Sequence, residues 1–317
     1  MKILVYGAGA VGSFNAARLA AGGHEVALLA RGQRLADLRE HGVVLENARS
    51  RERTTTHVPL VEALATDDAY DLVIVAMRRH QVPAILPALA QHTHTPSVLF
   101  LGNNAAGAED WIAALGCERV LLGQANVGGV RQGHLVRYVW SRRLPLQFSE
   151  LDERRTPRTA AIEAAFRRAG LRARVTDHMD ASLRTHAASV VPVVGALYWA
   201  HGDVRRLAHA RQALRLWVRA TREAQRALRE VGIPTVPAAS RFFEWIPASL
   251  LVFVMGRFLD TEMGVVGLAD ATAEGAPGEF KELADELRAV LRRAGVPAPA
   301  SERLYAYIDR EAATPAT

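Results

Sequence analysis

The chain opens with KILVYGAGAVG at residues 2–12, a short apolar run that leads directly into three regularly spaced glycines. The run predicts a buried strand, and the residues after Gly12 have the apolar spacing of a helix. A glycine-x-glycine-x-x-glycine pattern between a strand and a helix is typical of a loop that binds the pyrophosphate of a dinucleotide. We therefore predict a dinucleotide site formed by Gly7, Ala8, Gly9, Ala10, Val11 and Gly12.

Each glycine of this loop has a separate task. Gly7 allows the tight turn, Gly9 lets the backbone approach the pyrophosphate, and Gly12 lets the helix pack closely on the strand. The start of the helix adds free N–H groups and the positive end of the helix dipole, both of which stabilise a phosphate.

The end of the second predicted strand indicates which dinucleotide is bound. NAD-binding domains usually place Asp or Glu there to hold the ribose 2′-hydroxyl, whereas this strand ends at Leu29-Ala30-Arg31, with Arg34 close behind. A guanidinium binds a 2′-phosphate through charge-assisted hydrogen bonds. We therefore expect NADP(H) as the cofactor, with Arg31 on the extra phosphate; the alternative is that Arg31 is an exposed residue at the start of a helix.

The first half of the chain alternates short apolar runs with helical patterns, which predicts an α/β fold with a Rossmann-type parallel sheet. The strands are expected at residues 2–6, 25–30, 71–77, 97–101 and 119–122, with a hairpin-like extension of the same sheet at 127–148. A boundary near residue 178 gives two domains, 1–178 for NADP binding and 179–317 for the substrate. The second domain is expected to be mostly helical.

Within this second domain, helical patterns cover residues 182–200, 204–231, 279–294 and 301–311. The apolar stretch 246–268 carries Arg257, Asp260 and Glu262, so we interpret it as a buried helix and not as a membrane span. The tail 312–317 is expected to fray.

Composition restricts the class of protein. The chain of 317 residues has 50% hydrophobic residues and a net charge of +6, but its arginines are spread along helices and match no nucleic-acid-binding motif. The short apolar start does not resemble a signal peptide, so we expect a cytoplasmic protein without membrane or nucleic-acid partners. We interpret the single cysteine, Cys117, as a small buried residue. His92 and His94 lack metal-ligand spacing and are interpreted as a solvated loop, so no metal site is predicted.

Taken in order along the chain, these motifs resemble the ketopantoate reductase family (2-dehydropantoate 2-reductases). The opening segment and Leu29-Ala30-Arg31-Gly32 are similar to that family's start and NADP-selecting turn. The resemblance implies that Arg78 contacts the cofactor, where the family usually has a lysine. It also implies that Asn103 is the nicotinamide and substrate asparagine, and that Glu279 is the substrate-binding glutamate.

The chain departs from the family at the catalytic lysine. Ungapped counting places that lysine at Leu183, and Val191 replaces a family asparagine. The only two lysines of the chain belong to the first strand and to a C-terminal helix, at Lys2 and Lys281. The nearest candidates are Arg184 and His186, and a Lys-Thr-His pattern in divergent members favours Arg184 as the counterpart.

Ketone reduction puts negative charge on the carbonyl oxygen as hydride reaches carbon, so the site needs a cation or hydrogen-bond donor and then a proton. In our hypothesis, Arg184 either stabilises the developing negative charge or binds a substrate carboxylate. His186 or water donates the proton, and Asn103 positions the carbonyl. Residues two apart on a helix point about 200° from one another, so only one of Arg184 and His186 is expected to reach the site. Glu279 is expected to bind a substrate hydroxyl, although a carboxylate is stabilised at a helix start in any case.

The leading hypothesis is therefore an NADPH-dependent oxidoreductase that reduces a small 2-keto acid or related ketone. The alternative is an NADP(H)-binding sensor or regulatory protein that has lost catalysis, which the apolar Leu183 and Val191 would suit. A dehydrogenase of the related 3-hydroxy acid type would require a well-placed lysine, which the chain lacks. The apolar residues of the second domain would either form the interface of a homodimer or pack only in the core of that domain.

Overall fold

The computed structural model describes residues 1–314, except for the side chains of Ala239 and Phe242. The chain forms two compact units. The first contains Met1–Gly102 and Ala108–Met179, and the second contains Asn103–Gly107 together with the chain from Asp180 onward. The short segment Asn103–Gly107 therefore belongs to the second unit, although it lies in sequence within the first.

All strands of the described chain lie in the first unit, and they form two sheets. They are β1 Lys2–Tyr6, β2 Glu25–Leu29, β3 Val43–Asn47, β4 Arg53–Thr56, β5 Leu60–Val61, β6 Leu72–Val75, β7 Val98–Leu101, β8 Val120–Gln124, β9 Val127–Gln132, β10 Leu135–Trp140, β11 Leu146–Glu150 and β12 Ala173–Val175. The helices of this unit are α1 Ala10–Ala21, α2 Gly32–His41, α3 Leu86–Gln91, α4 Glu109–Leu115 and α5 Pro157–Arg168, with a 3-10 helix at Arg79–Ala84.

The large sheet has the order β12-β11-β8-β7-β6-β1-β2-β5. Six neighbouring strands, in the order β5-β2-β1-β6-β7-β8, are parallel. This is the strand order of a Rossmann sheet, and it reverses beside β1. Strand β11 adds antiparallel to β8. The α/β fold with a Rossmann-type sheet is confirmed, and the turn after β1 lies at the switch point where such sheets bind ligands.

The hairpin expected as an extension of this sheet instead forms a second one. Strands β9 and β10 pair antiparallel, β10 pairs parallel with β3, and β3 pairs with β4. Of the predicted segment, only β11 joins the large sheet. Helix α1 packs against both sheets, and Phe14 lies 4.9 Å from the ring of Tyr138 and 5.8 Å from that of Trp140. This packing fixes the start of α1.

The second unit is helical in the described residues. Its helices are α6 Met179–Trp199, α7 Val204–His209, α8 Arg211–Glu230, α9 Phe242–Trp245, α10 Ala248–Leu259, α11 Glu262–Ala269, α12 Ala276–Ala294 and α13 Pro299–Ala313. A Cβ at Gly195 of α6 would lie 2.8 Å from the Leu304 carbonyl oxygen of α13, so the glycine permits a close approach of the two helices. None of the helices in the described part of the chain is long and apolar enough to span a bilayer.

Three helix expectations need correction. The segment 204–231 is two helices, because the chain changes direction at Ala210. The stretch 246–268 is also two helices, since the Thr261 side chain accepts a hydrogen bond from Gly264 N and starts α11 anew. Helix α13 continues to Ala313, so the tail is helical at residues 312–313, whereas residues 315–317 of the predicted frayed tail lie outside the described chain.

Candidate functional site

The glycine loop between β1 and α1 has the backbone geometry that a dinucleotide loop needs. Gly7 has φ +109°, and a Cβ there would lie 2.6 Å from the Ala76 carbonyl oxygen. A Cβ at Gly12 would lie only 1.8 Å from the Gly7 carbonyl oxygen. At Gly9 a Cβ would meet no atom within 4 Å. Packing within the protein therefore leaves no room for a side chain at Gly7 or Gly12, whereas the space beside Gly9 is open to a ligand.

The first turn of α1 has backbone N–H groups that precede the regular hydrogen bonds of the helix. Among the described residues, no side chain caps this turn at Gly9. The carbonyl of Ala8 points into the protein, where it accepts hydrogen bonds from Ser13 Oγ at 3.1 Å and Arg34 Nε at 3.1 Å. An uncapped helix start whose preceding carbonyl is turned away suits an anion.

Two arginines lie at the end of β2, and neutral groups accept their hydrogen bonds. Arg31 donates from Nε to the Glu62 carbonyl oxygen at 3.1 Å and from Nη2 to Tyr6 Oη at 3.2 Å. Buried Arg34 donates from Nη1 to the His134 carbonyl oxygen and from Nη2 to Ser13 Oγ. Burial lowers the pKa of Arg34 to about 10, with a smaller contribution from Arg131, so Arg34 stays charged at neutral pH.

A carboxylate that sequence reasoning missed lies beside this arginine pair. Because Leu29 pairs with Val61 between β2 and β5, Glu62 is brought next to the end of β2. Its carboxylate is bound by Arg39 Nη2 at 2.6 Å. No local motif predicts this neighbour, since β5 has only two residues. Arg78, the other predicted cofactor residue, is half-buried just after β6, where it precedes the 3-10 helix.

In the second unit, two of the predicted site residues that are far apart in sequence lie in direct contact. The amide nitrogen of Asn103 donates to Glu279 Oε1 at 3.1 Å. Glu279 lies in the first turn of α12 and is 4% exposed. An ionised carboxylate only accepts hydrogen bonds, so the nitrogen of the amide must face it. The Asn103 side chain is therefore oriented by a buried acid.

The Asn103–Gly107 segment, which carries this asparagine, is fixed on two sides. Glu286, two helical turns after Glu279 on α12, accepts the Ala105 N–H at 3.0 Å. Arg184 of α6 donates from Nη1 to the Ala105 carbonyl oxygen at 2.7 Å. Within the segment, the Asn104 side chain bonds the N–H and carbonyl of Gly107. The two backbone polar groups of Ala105 are thus held by an acid and a base from two helices.

Arg184 uses its guanidinium for this structural contact. Besides its bond to Ala105, it donates from Nη2 to the Ala106 carbonyl oxygen at 3.4 Å and from Nε to Asp180 Oδ2 at 2.8 Å. Asp180 offsets its positive charge, because the two side chains form an ion pair one helical turn apart. Leu183 is 3% exposed, and Lys281 on α12 pairs with Asp285.

His186 lies two residues beyond Arg184 on α6. Burial lowers the pKa of its imidazole from 6.5 to about 4. The ring is therefore neutral at pH 7 and carries no proton that it can readily give up. This finding favours water over His186 as the proton source.

The lowered pKa makes a prediction about stability. The unfolded chain binds a proton at this histidine below pH 6.5, whereas the folded chain does so only near pH 4. The neutral His186 stabilises the folded state fully above pH 6.5, and this stabilisation is lost as the pH falls toward 4. At pH 5 the free energy of unfolding is lower by about 2 kcal/mol for this reason. We expect His186→Gln to remove this part of the pH dependence in urea unfolding. The control His94→Gln, at an exposed histidine, should retain it, and identical pH profiles for wild type and His186→Gln would contradict the assignment.

Two minor interpretations are wrong. Cys117 is exposed, because it follows Gly116 in the turn after α4 and does not enter the core. His92 is 1% exposed, since it ends α3 and packs at 6.2 Å from the ring of Tyr70, whereas His94 is exposed as expected.

Solved structures with the same fold cover nearly the whole chain. A ternary structure of D-mandelate dehydrogenase with NADH and anilino(oxo)acetate has a TM-score of 0.77 and 19% identity, covering 98% of each chain. The 2-dehydropantoate 2-reductase from Geobacter metallireducens GS-15 has a TM-score of 0.77 and 20% identity, covering 98% of this chain and 100% of that one. At these identities the likeness establishes the fold.

Two sequence comparisons each match about half of the chain. The chain is 30% identical over 179 residues to an uncharacterised oxidoreductase, YkpB, of Bacillus subtilis (strain 168), and the match spans 55% of this chain and 56% of that protein. Residues 3–152 match the model of the ketopantoate reductase PanE/ApbA family. Residues 3–152 of this chain are therefore similar to the ketopantoate reductase family.

Proposed function

We propose that the chain is an NADPH-dependent oxidoreductase that reduces a small 2-keto acid or a related ketone. The observation that carries the proposal is the open space beside Gly9 at the uncapped start of α1. This arrangement leaves backbone N–H groups for a pyrophosphate and nothing of the protein in its place. The similarity of residues 3–152 to the ketopantoate reductase family supports the same activity.

The first unit would hold the dinucleotide, which supplies hydride when bound. We assign the pyrophosphate to residues 7–12 and the 2′-phosphate to Arg31, with Arg78 as a further contact. Arg31 and Arg34 donate to neutral acceptors, so their positive charges remain available to an anion.

The second unit would bind the substrate carbonyl through Asn103. Its amide nitrogen carries two hydrogens, one of which is directed at Glu279, and we assign the second to the carbonyl oxygen. A donor held in place before the reaction stabilises the negative charge that develops there without having to reorganise. In this proposal Glu279 orients Asn103.

Arg184 acts in this proposal as a positioning residue and not as the cation on the developing alkoxide. Its guanidinium already binds Asp180 and the carbonyl oxygens of residues 105 and 106. These bonds hold the backbone that carries Asn103. The final proton comes from water, because His186 is neutral near pH 7.

Cofactor preference provides a test of Arg31. A charged hydrogen bond to the 2′-phosphate contributes about 1.5 to 3 kcal/mol, so wild type should prefer NADPH over NADH by roughly 10-fold to 150-fold. We expect Arg31→Ala to remove most of this preference by weakening NADPH binding alone. As a matched control, Glu62→Gln should leave NADPH binding equal or tighter, because it removes a neighbouring negative charge. Equal affinities of wild type for the two cofactors, measured by fluorescence titration, would refute the assignment.

The activity itself is tested by following NADPH absorbance with a panel of 2-keto acids. Oxidation that depends on both the keto acid and the protein supports the proposed reductase. If neither NADPH nor NADH gave a saturable binding signal, the proposal would be contradicted at its first step.

A second candidate is a nucleotide-binding sensor or regulatory protein without catalysis. It is favoured by the buried Leu183 at the family's lysine position and by the pairing of Arg184 with Asp180. Tight NADPH binding without oxidation in the presence of any keto acid would support the sensor over the reductase.

A further inference from the structure

Helix α10 has an apolar face that the described structure leaves exposed. Leu250 is 51% exposed, Phe253 66%, Val254 53% and Phe258 49%, and Trp245 just before the helix is 82% exposed. The stretch was expected to be a buried helix, and this expectation is wrong for one side of it. The error arises because the segment is apolar all round, which the sequence pattern does not distinguish from complete burial.

The exposed residues follow the surface of the helix in a straight line. Positions 250, 253, 254, 257 and 258 have the spacing i, i+3, i+4, i+7 and i+8, which places them on one face. The opposite face packs on α7 and α8, and a Cβ at Gly256 would lie 2.7 Å from the Ala208 carbonyl oxygen. Because the inner face is already tightly packed within its own unit, the outer stripe has no place in the core.

The size of this α10 stripe, defined as Trp245, Leu250, Phe253, Val254 and Phe258, exceeds that of incidental surface residues. Aromatic side chains bury about 150 to 250 Å² each when fully covered. At these exposed fractions, the three aromatic residues alone offer roughly 400 Å², and the two aliphatic residues add to this. A typical stable interface buries about 800 Å² per partner, so the stripe supplies more than half of one side.

We propose that the α10 stripe is the interface of a homodimer, in which α10 packs antiparallel on α10 of a second copy about a two-fold axis. A two-fold axis between residues 253 and 254 makes the centre of the stripe its own complement, because Phe253 of each copy covers Val254 of the other. It also sets Arg257 opposite Leu250 of the second copy, so the two Arg257 charges do not meet. The helix of 12 residues is about 18 Å long, enough for such a contact.

Charge near the stripe favours a protein partner over a lipid surface. Acidic residues follow the helix at Asp260 and Glu262, and Glu244 precedes it. Each of these carboxylates is paired with an arginine, Asp260 and Glu262 with Arg205 and Glu244 with Arg229. The surroundings of the stripe therefore lack the excess of Lys and Arg that interfacial helices carry around their apolar face. The proposal concerns assembly and does not depend on the function proposed above.

The test is the oligomeric state of the full chain, measured by sedimentation velocity between about 1 and 100 µM. We expect wild type to sediment as a dimer of the 34.5 kDa chain. Phe253→Asp should shift the population to monomer, with the dissociation constant of the dimer raised at least tenfold, because each dimer would bury two carboxylates near its axis. The residue is largely exposed in one copy, so folding should be retained, as circular dichroism would show.

Leu144→Asp provides the matched control, because Leu144 is a 63% exposed apolar residue of the first unit. This variant should remain dimeric. A monomeric wild type at 100 µM, a Phe253→Asp variant that stays dimeric, or equal disruption by Leu144→Asp would each overturn the proposal. A monomeric wild type that floats with phosphatidylglycerol vesicles would assign the stripe to a lipid surface instead.

Discussion

Asn103→Ala should lower kcat for keto acid reduction by about 100-fold or more, the effect of removing one preorganised donor from an oxyanion. The reason is that the Asn103 amide is oriented by Glu279 before any substrate binds. Nucleotide binding should change little, since the dinucleotide loop belongs to the other unit. Steady-state kinetics together with an NADPH titration measure the two effects separately.

Two variants distinguish catalysis by Asn103 from a general structural effect. Glu279→Gln keeps an oxygen that accepts from Asn103, so it should retain much more activity than Glu279→Leu, which removes the acceptor. Asn126→Ala deletes an asparagine side chain that bonds the Leu144 carbonyl oxygen in the first unit, and its kcat should equal that of wild type. An Asn103→Ala variant with unchanged kcat would exclude the assigned role.

Gly9→Ala should raise the NADPH dissociation constant tenfold or more without unfolding the protein, a change of at least about 1.4 kcal/mol in binding. The new methyl group meets no protein atom within 4 Å, and Gly9 has φ −70°, which alanine adopts readily. The methyl would instead occupy the space assigned to the pyrophosphate. The melting temperature should stay within about 2 °C, because a poorer N-cap is offset by the lower entropy of the unfolded chain.

Gly12→Ala is the counterpart of Gly9→Ala, because its Cβ would lie 1.8 Å from the Gly7 carbonyl oxygen. It should destabilise the first unit by about 3 kcal/mol through overpacking, a fall of roughly 6 to 12 °C in melting temperature. Differential scanning calorimetry and titration of both variants check the contrast. If both variants lost stability equally, the open space beside Gly9 would have no functional meaning.

The parallel sheet could be predicted because its central strands are continuous apolar runs. Strand β6, for example, is buried at every residue, and such runs are typical of parallel sheets covered on both faces. The second sheet could not be predicted, because β4 consists of Arg53 and three threonines that are mostly exposed. The parallel pairing of β10 with β3 joins distant parts of the chain, and no local pattern specifies it.

The candidate site was only partly accessible to sequence reasoning. The glycine loop is local, so its residues and their order are enough to predict it. The bond between Asn103 and Glu279 spans 176 positions, and the resemblance to a family named both residues without indicating that they touch. Arg184 bonds the backbone of residues 105 and 106, and Glu62 approaches the end of β2. Both contacts follow only from the tertiary fold.

The assignment of residues 103–107 to the helical unit constrains how this protein can be recombined. A chimaera that exchanges everything after Met179 for the equivalent part of a relative would bring in a foreign α6 and α12. The host's Asn103 would then lose the acid that orients it, and the backbone of Ala105 would lose the arginine and the glutamate that hydrogen-bond it. Residues 103–107 of the donor must therefore be transferred together with its chain after residue 179 if substrate binding is to be retained.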